Sequence, residues 1–160
     1  MSDNWLIAIP SDPAFIPEPE RQSRAHDWFN TNYPEADEIE IEVTESIQFI
    51  SCGGNFERIC CPACQAEVET AWWQVQMDND YDDNRGFSFT RFEMPCCGAT
   101  SSLPELVYEW PQGFARFSVS ALNPGRPSNS ETPVWPVSDD KNRELSEILG
   151  TPIRWIALHF

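Results

Sequence analysis

The sequence predicts an α+β fold: one domain with a mostly antiparallel sheet, about three helices and a zinc-ribbon-like metal site. Three observations carry this expectation. Apolar runs of strand length recur along the chain, several of them alternating with polar residues, and three other segments show helical periodicity instead. Five of the six cysteines fall in two short clusters, "CCPAC" from Cys60 to Cys64 and "PCCG" from Pro95 to Gly98. With 160 residues, 41% of them apolar, the chain can bury roughly two thirds of its unfolded surface around one core.

The elements follow in order. "WLIAIP", residues 5–10, is an apolar run stopped by proline and reads as a buried strand. After a proline-punctuated turn, Glu20–Asn32 places Ala25, Trp28 and Phe29 on one helical face, and Pro34 ends the pattern. "EIEIEV", residues 38–43, alternates Ile39, Ile41 and Val43 with Glu38, Glu40 and Glu42, which makes a half-buried strand with an acidic outer face. "SIQFI", residues 46–50, continues that strand or pairs with it, and "SCGGN" turns.

Thr70 can cap a helix through Tyr81 that carries Trp72, Trp73 and Met77; adjacent positions cannot both face a core, so one tryptophan covers the metal turn or lies at the surface. "FSFTRFEM", residues 87–94, reads as one strand leading into the second cysteine cluster. Leu106, Tyr108 and Trp110 alternate, "PQG" can turn, and Phe114–Leu122 alternates again, a hairpin signal. Residues 123–133 have the composition of a surface loop. Ser138 or a following aspartate caps a last helix with Leu145, Ile148 and Leu149 on one face and Gly150 at its end, and "IRWIALHF" closes the chain as a strand. No internal repeat and no second core is evident, so residues 1–160 are expected to form a single domain with the metal site embedded between 61 and 97.

Zinc in structural sites takes four ligands in a tetrahedron, and a Cys-x-x-Cys turn brings two sulfurs to one side of the backbone. Cys61-Pro62-Ala63-Cys64 meets that requirement. The second cluster does not repeat the spacing: Cys96 and Cys97 are neighbours, which in an extended segment point to opposite faces, so both reach one ion only if the chain turns sharply at Gly98. The preferred ligands are Cys61, Cys64, Cys96 and Cys97, with Cys60 and Cys52 as substitutes; His26 and His159 lack helpful spacing. A four-thiolate site has no open coordination position, so it ties strands together and does no chemistry. Arg116 and Arg154 stand inside apolar strands, where a carboxylate partner is expected for each.

Ten Lys plus Arg against 26 Asp plus Glu give a net charge of −16, and no cation occurs between Ala25 and Glu57. Nucleic-acid binding draws on cations set against phosphates, so this balance argues against a DNA or RNA ligand. It favours a basic protein partner, with Glu35, Asp37, Glu38, Glu40, Glu42 and Glu45 as the docking residues. The competing reading is that the acidity serves solubility alone. No stretch reaches the ~18 apolar residues of a membrane span, and the N-terminus lacks a secretory pattern, so no membrane contact and a cytoplasmic location are expected.

No phosphate loop, nucleophile elbow or paired His and carboxylate is present, which favours a non-catalytic role. Two alternatives stay open: a thiol redox protein using "CPAC", with Thr151-Pro152 before the terminal strand, or an enzyme with an unrecognised pocket. "DNDYDDN" begins like a calcium loop but has Asp83 where glycine is needed and Phe89 where a bidentate glutamate is needed, so it reads as a solvated acidic turn.

"GGNFERICCPAC" followed by "WW", "PCCG", "YEWPQGFARF" and "NP" resembles a group of small acidic bacterial proteins of unknown function with paired cysteine turns. The likeness covers residues 48–124 and the "IRWIALHF" end. It implies zinc-ribbon-like construction and a bacterial, cytosolic setting, and no activity. Together these readings point to a zinc-stapled interaction module, in concrete form an immunity or inhibitor protein for a cationic partner.

Overall fold

The computed structural model describes residues 3–125 and 134–160, so most of the loop expected at 123–133 lies outside the described residues. In chain order the elements are β1 (Asn4–Pro10), α1 (Pro19–Asn32), β2 (Glu38–Ile50), β3 (Arg58–Cys60), β4 (Glu67–Val68), α2 (Thr70–Asp80) and β5 (Tyr81–Asp82). They continue with β6 (Gly86–Phe87), β7 (Phe92–Glu93), β8 (Thr100–Ser101), a 3-10 turn at Leu103–Glu105 and β9 (Val107–Glu109). β10 (Gly113–Leu122), α3 (Asp139–Leu149) and β11 (Ile153–His159) complete the chain. The architecture is the expected α+β one, with three α-helices among the described residues and strand pairing there that is antiparallel except between β2 and β6, beside one isolated parallel bridge from Gly53 to His159.

The main sheet runs β11-β1-β10-β2-β6-β5. β1 lies between β10 and β11, which is why its run is apolar at nearly every position: Leu6 and Ala8 point to one face, Ile7 and Ile9 to the other, and all four are buried. The first face is covered by α1 and α3. Phe29, 0% exposed, sits there against Trp155 and Trp28 at ring-centroid distances of 5.9 and 5.5 Å. Proline in the first turn preorganises α1, and the Tyr33 N–H closes its end on the Phe29 carbonyl. α3 opens with Ser138 accepting from the Lys141 N–H, has Asp139 and Asp140 against its positive end, and stops at Gly150 in the left-handed region (φ 76°).

β2 is a single thirteen-residue strand, so "SIQFI" continues the acidic segment. Its ladder with β10 breaks between Val43↔Phe117 and Gln48↔Ala115, where several β2 residues bulge past Arg116. The bulge leaves the Thr44 carbonyl out of the ladder, and Arg116 Nε donates to it at 3.0 Å. Arg154 likewise donates to the Gln112 carbonyl at 2.8 Å. The expected carboxylate partners are therefore replaced by backbone oxygens; the ion pairs among the described residues are Arg58–Glu109, Arg91–Glu105 and Arg143–Asp140.

Two strand expectations are corrected. "FSFTRFEM" is not one strand but β6 and β7 in separate sheets, because the Asp80 carboxylate takes the amides of Ser88, Phe89 and Thr90 at 3.1, 2.9 and 2.9 Å and removes them from any ladder. Phe89 turns there with φ at 60°. The hairpin expected across "PQG" does not form either: β9 pairs with β3, whereas β10 pairs with β1 and β2. Tyr108 is drawn away from the main sheet because its hydroxyl donates to the Leu103 carbonyl at 2.7 Å and accepts from Trp73 Nε1 at 3.2 Å. The intervening Gln112 is buried, and its side-chain oxygen accepts from the Cys52 amide.

Buried side chains accordingly gather in three clusters rather than one: beneath the helices, on the opposite face of β1, and around Ile59, Trp73, Met94 and Tyr108 beside the cysteine turns. Phe56 packs against the last two and joins them. Truncating Phe29 to alanine removes the ring at the centre of the helical layer, and a loss of about 3–5 kcal/mol in urea unfolding is expected; a loss below about 1 kcal/mol would place the weight of the fold elsewhere.

Candidate metal centre

The two cysteine clusters sit on hairpins of the same construction. β3 and β4 pair as Ile59↔Val68 and Cys60↔Glu67, and β7 and β8 as Phe92↔Ser101 and Glu93↔Thr100. In the first loop the Cys61 N–H donates to the Ala66 carbonyl and the Gln65 N–H to the Cys61 carbonyl, at 2.8 and 3.0 Å. The second repeats this, from Met94 to Ala99 and from Gly98 to Met94, at 2.8 and 2.9 Å. Gln65 and Gly98 occupy the same left-handed position, with φ of 63° and 75°.

Superposed on this pattern, "RICCPACQAEV" (58–68) and "RFEMPCCGATS" (91–101) coincide position by position, sharing Arg58/Arg91, Pro62/Pro95, Cys64/Cys97 and Ala66/Ala99. The expectation that the chain holds no internal repeat is thus corrected. The repeat escapes a cysteine-spacing reading because Met94, buried, stands where the first hairpin has Cys61, and Cys96 stands where it has Ala63. Each hairpin contributes two sulfurs, but from different pairs of loop positions.

All four sulfurs, of Cys61, Cys64, Cys96 and Cys97, lie within 4.8 Å of one another. The short approaches run between hairpins, Cys61 to Cys97 at 3.8 Å and Cys64 to Cys96 at 3.4 Å, and all six cysteines are free thiols. Because Cys96 and Cys97 belong to a turn, not a strand, their adjacency does not send them to opposite faces. Cys60 is in β3, half-buried and outside the cluster; Cys52 is wholly buried with Ile7, Ile9, Ala115 and Ile156, and desolvation raises its thiol pKa. His26 and His159 are engaged elsewhere, with Asn30 and Asn4.

The electrostatics suit a cation. The Cys64 amide directed at the Cys61 sulfur, assisted by the Ala63 amide at 3.4 Å, lowers Cys61 to about 7. Cys96 is pushed up to about 12, by desolvation first and then by the sulfurs of Cys64 and Cys61. Four thiolates this close cannot all ionise by themselves; a divalent ion supplies the missing charge and displaces the remaining protons. Cys61 is buried and the other three are exposed, so the cluster lies at the surface. The cluster joins the β4-β3-β9 sheet to the β7-β8 hairpin.

Sequence reasoning missed Asp80. Far from being a solvated turn residue, its carboxylate holds three successive amides and the Ser88 hydroxyl, and so fixes the approach to β7 and the second hairpin. Burial pushes its pKa up, and the amides outweigh that and leave it below the ordinary value. Trp72 lies over Phe92 of the same hairpin at 5.4 Å, while Trp73 faces the core.

A cleft of about 500 Å³ is lined by Trp5, Trp110 and Trp135 with Asn4, Asn55 and Asn123; among the described residues neither a metal-site cysteine nor any titratable side chain lines it. No helix among the described residues is long and apolar enough to cross a membrane. No family model, curated protein or solved structure matches this chain.

The equivalence of the hairpins predicts that Met94→Cys combined with Cys96→Ala, which restores Cys-Pro-x-Cys in the second loop, keeps one metal ion per chain with four sulfur ligands. X-ray absorption at the metal edge reads this directly, and loss of the ion in the double variant, with retention in Met94→Leu, would refute the equivalence.

Proposed function

We propose that this protein is a zinc-stapled, non-catalytic interaction module. The observation that carries the reading is the convergence of four thiol sulfurs from two hairpins within 4.8 Å. Zinc–thiolate bonds of about 2.3 Å in a tetrahedron set sulfurs about 3.8 Å apart. The approaches of 3.4 and 3.8 Å between the hairpins are close to that spacing, and an all-sulfur, four-coordinate donor set suits zinc among the common divalent ions. The redox alternative fares worse, because the closest sulfurs are paired between the hairpins and not within Cys61-Pro62-Ala63-Cys64.

The partner is a basic protein, bound through the acidic stretch. Glu38, Glu40 and Glu42 are exposed on the face of β2 turned away from the helices, and Glu45 is exposed at the bulge. Asp37 accepts from Asn123 Nδ2 at 2.9 Å, and Glu35 stands against Gly125, so these two flank the strand at its start. An immunity or inhibitor protein that neutralises a cationic enzyme in a bacterial cytoplasm is the concrete form of this reading, and the net charge of −16 steers such a partner.

Elemental analysis of native protein is expected to return one zinc per chain, falling to none in Cys64→Ser, with a chelator exposing the amides of both hairpins to exchange while those of β1 stay protected. Native protein that is metal-free with both hairpins protected overturns the staple. For the acidic face, capture of a basic protein from host lysate should weaken about tenfold or more between 50 and 500 mM salt and disappear in Glu40→Lys/Glu42→Lys; salt-insensitive capture, or none, removes the docking reading.

A further inference from the structure

The edge of the main sheet is open where it is most acidic. β10 pairs with β2 from Leu122↔Glu38 to Phe117↔Val43 and again, past the bulge, from Ala115↔Gln48 to Gly113↔Ile50. On the other side β6 meets β2 only at Ile47↔Gly86. Among the described residues no strand pairs with the outer side of Glu38–Glu45, which is roughly 26 Å of strand at about 3.3 Å per residue. An unpaired row of N–H and C=O groups of this length is a template for another strand.

We propose that this edge receives an extended basic segment of the partner protein, which adds to the sheet as a further strand beside β2. The inference rests on the docking reading above and specifies its geometry. Charge chooses the occupant. A second copy of this chain would set one glutamate row against another, and like charges on facing strands repel, so the edge rejects itself. A segment with Lys or Arg at every second residue places its cations beside Glu38, Glu40 and Glu42 while its backbone completes the ladder.

The alternate residues of that segment also have a place. Ile39 and Ile41 turn toward the helical layer, but Val43, beyond the cover of α1, is 48% exposed. A cleft of about 410 Å³ between α1 and β2 is lined by Gln22, Ser23, His26, Asp27 and Ile41. On the glutamate face a second cleft, of about 390 Å³, is lined by Glu40 and Glu42 together with Trp5, Ile7, Ser118 and Ser120. On the first side Ile41 and the exposed Val43 offer apolar contact to the alternate residues of an added strand, and on the second its basic heads reach Glu40 and Glu42, whereas Trp5 and Ile7 lie on β1, two strands further in. Strand addition supplies affinity through main-chain bonds, and the alternating side chains supply selection.

The test uses the zinc-loaded full chain and two probes: an acetylated octapeptide of alternating lysine and valine, and the same peptide N-methylated at every second residue, which keeps the charge but cannot bond along one edge. The unmodified peptide is expected to bind, to slow hydrogen exchange at amides within 38–45, and to bind about ten- to a hundredfold more tightly than the methylated one, the worth of a few net hydrogen bonds. Equal binding of both peptides, without protection of 38–45, overturns strand addition and leaves charge-based docking standing. Binding of neither overturns both readings. Protection of 38–45 that grows with protein concentration in the absence of peptide assigns the edge to a second copy and refutes the proposal.

Discussion

The cysteine half of this protein depends on one constraint: two hairpin loops hold four thiol sulfurs within 4.8 Å of one another. The strands that carry those loops are only two or three residues long. Ladders of that length are not stable on their own, because each supplies a few backbone bonds against the ordering of a whole loop. A metal ion held by the four sulfurs would change the balance, since it would close the long segment between Cys64 and Cys96 and fix both loops at once. The packing agrees with this: Cys61 and Met94, at equivalent loop positions, are the residues of the two turns that reach into the third cluster, beside Ile59, Val68 and Leu103. The sulfur cage is therefore the outer edge of a small hydrophobic core.

The other half is organised by burial. β1, bordered on both sides, carries a nearly continuous apolar run; β2, bordered fully only by β10, alternates isoleucine with glutamate. The same alternation that seats Ile39 and Ile41 under α1 puts three carboxylates in a row on the other face. An unpaired strand edge of that length is a template for further pairing, and a row of like charges beside it disfavours pairing with a second copy.

The legible parts of the sequence were those in which local chemistry and tertiary environment agree. The helix around Ala25, Trp28 and Phe29, the Ser138 cap, the strand of residues 5–10 and the four cysteines that cluster all follow from spacing and composition. The illegible parts are those in which a side chain from another element competes for backbone groups. Asp80 takes the amides of Ser88–Thr90 and splits what composition reads as one strand; Tyr108, bonded to Leu103 and Trp73, carries β9 to β3 and away from β10. Arg116 and Arg154 found carbonyl oxygens that a bulge and a turn had left free, and no sequence pattern announces those. The repeat between the cysteine turns was hidden by the exchange of Cys61 for Met94, which breaks the cysteine spacing while preserving the fold of the loop.

By itself, then, the sequence determined which residues alternate, which cysteines cluster and which sign of charge dominates, because those properties are written at separations of a few residues. Only the tertiary structure decided that the two cysteine loops are the same hairpin twice, that the chain crosses from β9 to β3 instead of folding back, and that the acidic segment ends at an open sheet edge. Each of these depends on hydrogen-bond partners and packing surfaces tens of residues apart, whose competition is settled when the whole chain is compact.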